Sequence, residues 1–330
     1  MLIVLAVSTG QGSAAPLPTF TFVGGGDIAL VGSGANASTF AGIRRLLHAD
    51  LVMANLEGTL ANDGAASCSP YGQDGCFTFR ASPTSAVELR RAGFRALNVA
   101  NNHALDYGPV AHEVTLEALH AAHIAYTGLP HQVTVVSAGE VKVALVGFAP
   151  YSWAASLLDL DAARALVKRA RTKADVVIVY MHAGAEGSSA THVTGQEERF
   201  LGEDRGNPQA FAHAVVNAGA TLVFASGPHV VRGLEWFHGH LIAYSLGNLA
   251  GNRTLATGGT LSLSALLQVR MRKDGSFVSG AIRSLRLSSE GTPTVDGTNA
   301  AAALMAKLGR EDFRDRGVAL ARGGSILQKP

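Results

Sequence analysis

The sequence predicts an α/β domain in which two stacked sheets are flanked by helices. Three observations carry that expectation. Short apolar runs alternate with amphipathic segments from the start of the chain to about Asn248. The last half then supplies more adjacent strands than one doubly wound sheet needs. Finally, 47% of the 330 residues are apolar and 16% charged, so a sizeable core is accessible as one large domain or two smaller ones. Periodicity alone does not separate stacked sheets from one open sheet.

The elements follow in order. "FTFV" reads as a strand (20–23) ending in a Gly-rich turn that exposes Asp27. "STFAGIRRLLHA" reads as a helix with Ser38 at its N-cap. "DLVMANLEG" is a buried strand whose end carries Asn55 and Glu57, and "SPTSAVELRRAG" a helix stopped by Gly93. "FRALNVA" is the next strand, "AHEVTLEALHAAH" a helix, and "IAYTG" a strand. "QVTVVSAGEVKVALVGFAP" reads as a hairpin turning near Gly139. "LDAARALVKRARTKA" is a helix with basic residues toward its end, where the helix dipole favours them. The continuous apolar run of "DVVIVYMHAG" marks a strand buried on both faces. "PQAFAHAVVNAG" is a helix, and "ATLVFASGPHVV", "GLEWFHGHLIAYSLGN", "TLSLSALLQVRM" and "SGAIRSLRLS" supply the remaining strands. The organisation expected is a signal-like segment over 1–17, one domain over 18–290, and a C-terminal extension over 291–330 with a helix near 299–308.

Composition excludes some functions. A net charge of +2 with no basic stripe argues against nucleic acid as a partner. Leu2 to Val7 form a short apolar run followed by small residues, like the end of a secretory signal peptide without its basic start. Cys68 and Cys76 flank a short polar loop, which a disulfide closes readily in an oxidising compartment; the alternative is two unrelated free thiols. The expected location is therefore outside the cytoplasm, periplasmic or extracellular, with the N-terminal segment either cleaved or kept as a membrane anchor.

The chemistry-bearing residues share one placement, just past the C-terminal ends of apolar strands. Asp27, Glu57, the Asn101-Asn102-His103 cluster, His182 with Glu186, and His229 all sit there. In α/β proteins such strand ends converge on one edge. Carboxylate, amide oxygen and imidazole together suit Mn, Fe, Zn or Mg, and such ions polarise phosphoryl or carbonyl oxygens. The bland alternative is that each residue only bonds loop backbone. His120 and His123 share a helix face but read as surface residues, and "VGGGDIALVGSG" lacks the ending of a phosphate loop.

These stretches together resemble the CapA family of poly-γ-glutamate capsule synthesis proteins, distant relatives of calcineurin-type metallophosphoesterases. The matching segments are "GGDIAL", "DLVMANLEGTL", "FRALNVANNHALDYG", "VYMHAGAE" and "GPHVVRGLEWFHGHLIAYSLGN". The resemblance implies a four-layer α-β-β-α sandwich and a metal site of Asp27, Glu57, Asn102, His182 and His229. It also implies that His103 faces the scissile group as a general acid or leaving-group stabiliser, and the sequence places Asp106 where it can fix the imidazole tautomer. Two ligands of a dinuclear site are missing, since Ala29 and Ser226 stand where histidines are expected. One divalent ion, or none, is then the expectation.

Two functions follow from the resemblance. One is an exported metal-dependent hydrolase acting on an extracellular polymer or a small phosphoester. The other is a non-catalytic surface protein that assists polymer assembly or export alongside the capsule machinery at the membrane.

Overall fold

The computed structural model describes residues 16–68 and 76–328. The signal-like segment up to residue 15 and the loop between the two cysteines (69–75) lie outside the described residues. No helix among them is long and apolar enough to cross a membrane.

The elements run β1 (Thr19–Ala29), β2 (Leu51–Leu56), β3 (Thr59–Leu60), β4 (Arg80–Ala81), α1 (Ser85–Ala92), β5 (Ala96–Asn98), α2 (Gly108–Ala121) and β6 (Ala125–Thr127). They continue as β7 (Thr134–Ala138), β8 (Val141–Phe148), α3 (Leu160–Arg171), β9 (Val176–His182), β10 (Arg199–Phe200), β11 (Glu203–Asp204) and α4 (Pro208–Asn217). The last are β12 (Leu222–Ser226), β13 (Leu234–Phe237), β14 (His240–Ala243), β15 (Asn248–Gly251), β16 (Leu263–Arg272), β17 (Phe277–Leu287), β18 (Pro293–Val295) and α5 (Ala300–Phe313).

Two large sheets result. The first has the order β18-β17-β16-β1-β2-β5-β6, with β15 also paired to β1; the second has the order β13-β14-β12-β9-β8-β7. The central strands β1, β2, β5 and β6 are parallel, as are β8, β9, β12 and β14. Parallel neighbours require crossovers, and the helices provide them. One apolar cluster lies between the sheets, where Phe22, Met53 and Leu267 of the first meet Ile178, Tyr180 and Phe224 of the second. A second joins the outer face of the first sheet to Leu89 of α1 and Leu116 and Leu119 of α2. A third joins the outer face of the second sheet to Val167 of α3 and Phe211 and Val215 of α4. The order of layers is α-β-β-α, as the resemblance implied.

Local chemistry explains the helix limits. Asp159 caps α3 by accepting from the amides of Asp161 and Ala162, and Asn207 caps α4 through the amide of Ala210. α1 ends at Gly93, whose φ of 124° admits no ordinary side chain.

Two expectations fail. The glycines after Val23 form no turn, because β1 runs unbroken through Gly24, Gly25 and Gly26 to Ala29. They are there for close approach: a Cβ on Gly26 would lie 1.7 Å from the carbonyl oxygen of Gly247. The segment from Ser38 to Ala49 forms successive turns and one short 3-10 helix (Arg44–Leu46), not an α-helix. Its amides bond carbonyls three residues back, as Ala41 does to Ser38 and Ile43 to Phe40. Ser38 bonds Asn36 and caps nothing.

Candidate metal centre

The two sheets bring their C-terminal strand ends together where β1 faces β12. Phe22 meets the edge of Phe224 below this point, and Ser226 at the end of β12 bonds the Asp27 carboxylate of β1. Register sets the rest. Asp27 lies beside Asn55 on β2 and Asn248 on β15, Asn55 beside Asn98 on β5, and Ser226 beside His182 on β9.

Asp27 is wholly buried. Its Oδ1 accepts from Asn55 Nδ2 at 2.8 Å and its Oδ2 from the Gly227 amide at 3.1 Å. His182 Nδ1 lies 3.6 Å from Oδ1 and His229 Nδ1 3.4 Å from Oδ2. Burial opposes its charge, yet the bonds and charges of these two histidines hold its carboxyl well below the usual carboxylate range.

Glu57 follows β2 and is also wholly buried, but neither carboxylate oxygen receives a hydrogen bond. Its Oε1 lies 3.7 Å from both His182 Nε2 and His229 Nε2. Burial, and next the charge of Asp27, push its pKa well above the ordinary value. His229 has φ +61°, a left-handed backbone on the turn after β12, and its Nδ1 lies 2.8 Å from Asn248 Oδ1. Glu186 lies 3.5 Å from His229 Nε2 and pairs with Arg205. Despite burial, the bond and charge of His229 and the charge of Arg205 lower the Glu186 carboxyl to about 2.

Asp27, Glu57 and His229 each present a donor atom within 4.8 Å of the other two. A buried carboxylate with no hydrogen-bond donor is costly unless a cation faces it, so this donor set fits a divalent ion. The other sequence candidates are placed differently. His182 is turned to protein on both ring nitrogens: Nε2 accepts from Arg205 at 3.4 Å, which leaves the proton on Nδ1, facing the Asp27 carboxylate at 3.6 Å. Asn102 has a buried Oδ1 without a hydrogen-bond partner and lines the adjoining cleft. Its neighbour Asn101 is the anchor, donating to Asn55 Oδ1 and the Leu56 carbonyl.

His103 Nδ1 lies 2.8 Å from Asp106 Oδ2, which also accepts the Phe79 amide at 2.6 Å. His103, Glu186, His229 and Asn248 share a cleft of about 210 Å³ walled by Phe79, Leu255 and Leu261. A neighbouring cleft of about 350 Å³ adds Asn102, Arg205 and the Cys68–Cys76 pair, which is disulfide-bonded. His120 and His123 are exposed.

Sequence reasoning missed Arg205, Asn55, Asn98 and Asn248 as participants. Asn55 and Asn98 sit inside otherwise apolar strands and Asn248 closes "YSLGN", so the polar residue within an apolar run was the available signal. Arg205 sits in the polar stretch "GEDRGNP" and gave none.

Residues 25–253 match the model of a family described as bacterial capsule synthesis protein PGA_cap. The chain is 26% identical over 211 residues to the capsule biosynthesis protein CapA of Bacillus anthracis, covering 58% of this chain and 47% of that protein. It is 27% identical over 209 residues to the PGA biosynthesis protein CapA of Bacillus subtilis, covering 58% and 50%. The chain thus spans about half the length of the curated relatives it matches. Among solved structures it is similar to a 5'-nucleotidase precursor from Thermus thermophilus, with 14% identity, a TM-score of 0.44, and coverage of 89% of this chain and 59% of that one.

Proposed function

The chain belongs to the bacterial capsule synthesis protein family PGA_cap, and from that premise we propose that it acts in the synthesis or processing of poly-γ-glutamate at a metal-dependent, hydrolase-type site. The observation that carries the site is Glu57, a fully buried carboxylate with both oxygens undonated, facing Asp27 and His229. These three residues would hold one divalent ion of the Mn, Fe, Zn or Mg class. Such an ion, when bound, polarises a phosphoryl or carbonyl oxygen and acidifies bound water.

The chain's own residues do the rest. With Asp106 accepting from Nδ1, His103 offers Nε2 to the cleft, as a base when neutral and as an acid when protonated. The Phe79 amide fixes Asp106, and the Phe79 ring, 4.2 Å from that of His103, limits its rotation. Asn102 Oδ1 supports a place at the edge of the ion or of the substrate. The disulfide supports a location in an oxidising compartment, periplasmic or extracellular. The partners that fit are an extracellular polymer or a small phosphoester, handled near the capsule machinery at the membrane.

One observation favours a second reading. Ala29 and Ser226 stand where the resembled enzymes carry histidines, and Ser226 bonds Asp27 directly. A degenerate centre of that kind suits a non-catalytic protein that assists polymer assembly or export. The experiment incubates the Mn²⁺-loaded chain with poly-γ-glutamate and, separately, with p-nitrophenyl phosphate. Shortening of the polymer or release of nitrophenol, lowered about 10²–10⁴-fold in His103→Ala, is the expected result. No turnover of either, with capsule output intact in a His103→Ala strain, overturns the catalytic reading in favour of the second.

A further inference from the structure

Arg205 directly follows β11 and its side chain is only 1% exposed. Its Nη1 pairs with Glu186 Oε1 at 2.8 Å and donates to the Tyr151 hydroxyl at 3.1 Å. Tyr151 is itself held, stacking on Trp153 and donating to Glu203 Oε2. Nη2 stands 3.4 Å from His182 Nε2, the ring nitrogen that lies 3.7 Å from Glu57 Oε1. The guanidinium is thus built into the centre, with a carboxylate, a phenol and an imidazole holding it in place.

Charge and space point the same way. Once a metal displaces the protons of Glu57 and His229, Asp27, Glu57 and Glu186 bring three carboxylates and Arg205 one permanent cation, which leaves two negative charges for the metal to meet. One divalent ion neutralises that remainder. Another would meet a guanidinium already in contact with His182 Nε2, at short range and in a medium that screens poorly. The two missing histidines lower the donor count in the same direction.

We propose that Arg205 is a built-in second cation, so that the centre takes a single divalent ion on Asp27, Glu57 and His229 while Arg205 supplies the other fixed positive charge. This rests on the metal reading above. Arg205 is then a positioning and electrostatic residue. It fixes Glu186 and His182 and keeps His182 out of the metal's coordination sphere.

The test counts ions. The full chain is stripped with a chelator and dialysed to equilibrium against rising Mn²⁺. Bound metal is measured by plasma mass spectrometry and its spin state by electron paramagnetic resonance. Wild type and Arg205→Lys are expected to hold one ion per chain with the spectrum of an isolated Mn²⁺. In Arg205→Met the centre carries three negative charges, and His182 Nε2 and Glu186 lose their cation. That variant is expected to admit a second ion, spin-coupled to the first, at higher Mn²⁺. Two ions in wild type, or one only in Arg205→Met throughout, overturns the inference and leaves the metal reading standing. No ion in wild type overturns the metal reading itself. If Arg205→Met fails to fold, the wild-type count decides: one ion supports the inference and two sink it.

Discussion

Replacing Glu57 by Gln should separate its cost to the metal-free protein from its value to the metal-bound one. Without an ion, the Glu57 carboxylate is wholly buried, and its nearest histidine nitrogens are 3.7 Å away. Neither oxygen accepts a hydrogen bond. The amide has the same shape and is uncharged, the state that burial and the charge of Asp27 already favour for Glu57 without an ion. Metal-free Glu57→Gln is therefore expected to match wild type within about 1 kcal/mol or to exceed it. With the ion at a hundred times its dissociation constant, wild type should gain about 2.7 kcal/mol. At roughly 2 cal/mol/K per residue over 330 residues, that is a rise of about 4 °C in Tm. The variant lacks one of three donors and should gain less than about 1 °C. Differential scanning calorimetry with chelator and with Mn²⁺ gives all four values. Equal metal-induced rises in both proteins would refute the reasoning, and so would a metal-free variant that melts several degrees below wild type.

The other expectations are simpler to state. His103→Ala should keep Tm and bound metal while lowering turnover about 10²–10⁴-fold; a fall in Tm with unchanged turnover per folded molecule would instead make it a loop anchor. Gly26→Ala should cost at least about 1–3 kcal/mol in urea unfolding, because the new methyl meets the Gly247 backbone rather than a yielding side chain; a neutral result would mean that the sheet edge moves freely. His112 on α2 has its pKa lowered from 6.5 by burial, outweighing the charge of Glu113 and a bond to the Ala104 backbone. Its neutral form is the folded one, so it favours folding above pH 6.5 and costs stability as pH falls below that value. His112→Gln should flatten that part of the stability profile, and an unchanged slope would assign it elsewhere. Thiol labelling of the denatured, unreduced protein should find no free cysteine, whereas two labelled thiols would contradict the Cys68–Cys76 bond.

Much of this was legible because burial writes itself into the strands. β9 carries Val176 to Met181 without a charge, and β2 is apolar except for Asn55, so both could be placed from composition. A polar residue at the end of such a run lies where the strand ends of the two sheets meet, and there it needs polar partners even when buried. This is why Asp27, Glu57 and His229 could be grouped before their contacts were known. The stretch after Val23 misled because glycine signals both turns and close approach, and only the partner at Gly247 distinguishes the two. The segment from Ser38 misled because its apolar spacing also suits a chain of tight turns packed under the sheet through Phe40 and Ile43. Arg205 was invisible for a different reason. Its importance comes from neighbours 19 and 23 residues earlier in the chain, Glu186 and His182, brought to it by the return of the chain through β10 and β11.

The central claim is that Asp27, Glu57 and His229 form a metal centre, and anomalous X-ray diffraction at the Mn absorption edge tests it most directly. Crystals of the full chain grown with Mn²⁺ are predicted to show one anomalous peak per chain within about 2.0–2.4 Å of a carboxylate oxygen of Asp27, one of Glu57 and a ring nitrogen of His229. No peak at saturating Mn²⁺, or a peak that none of these three residues touches, would contradict it.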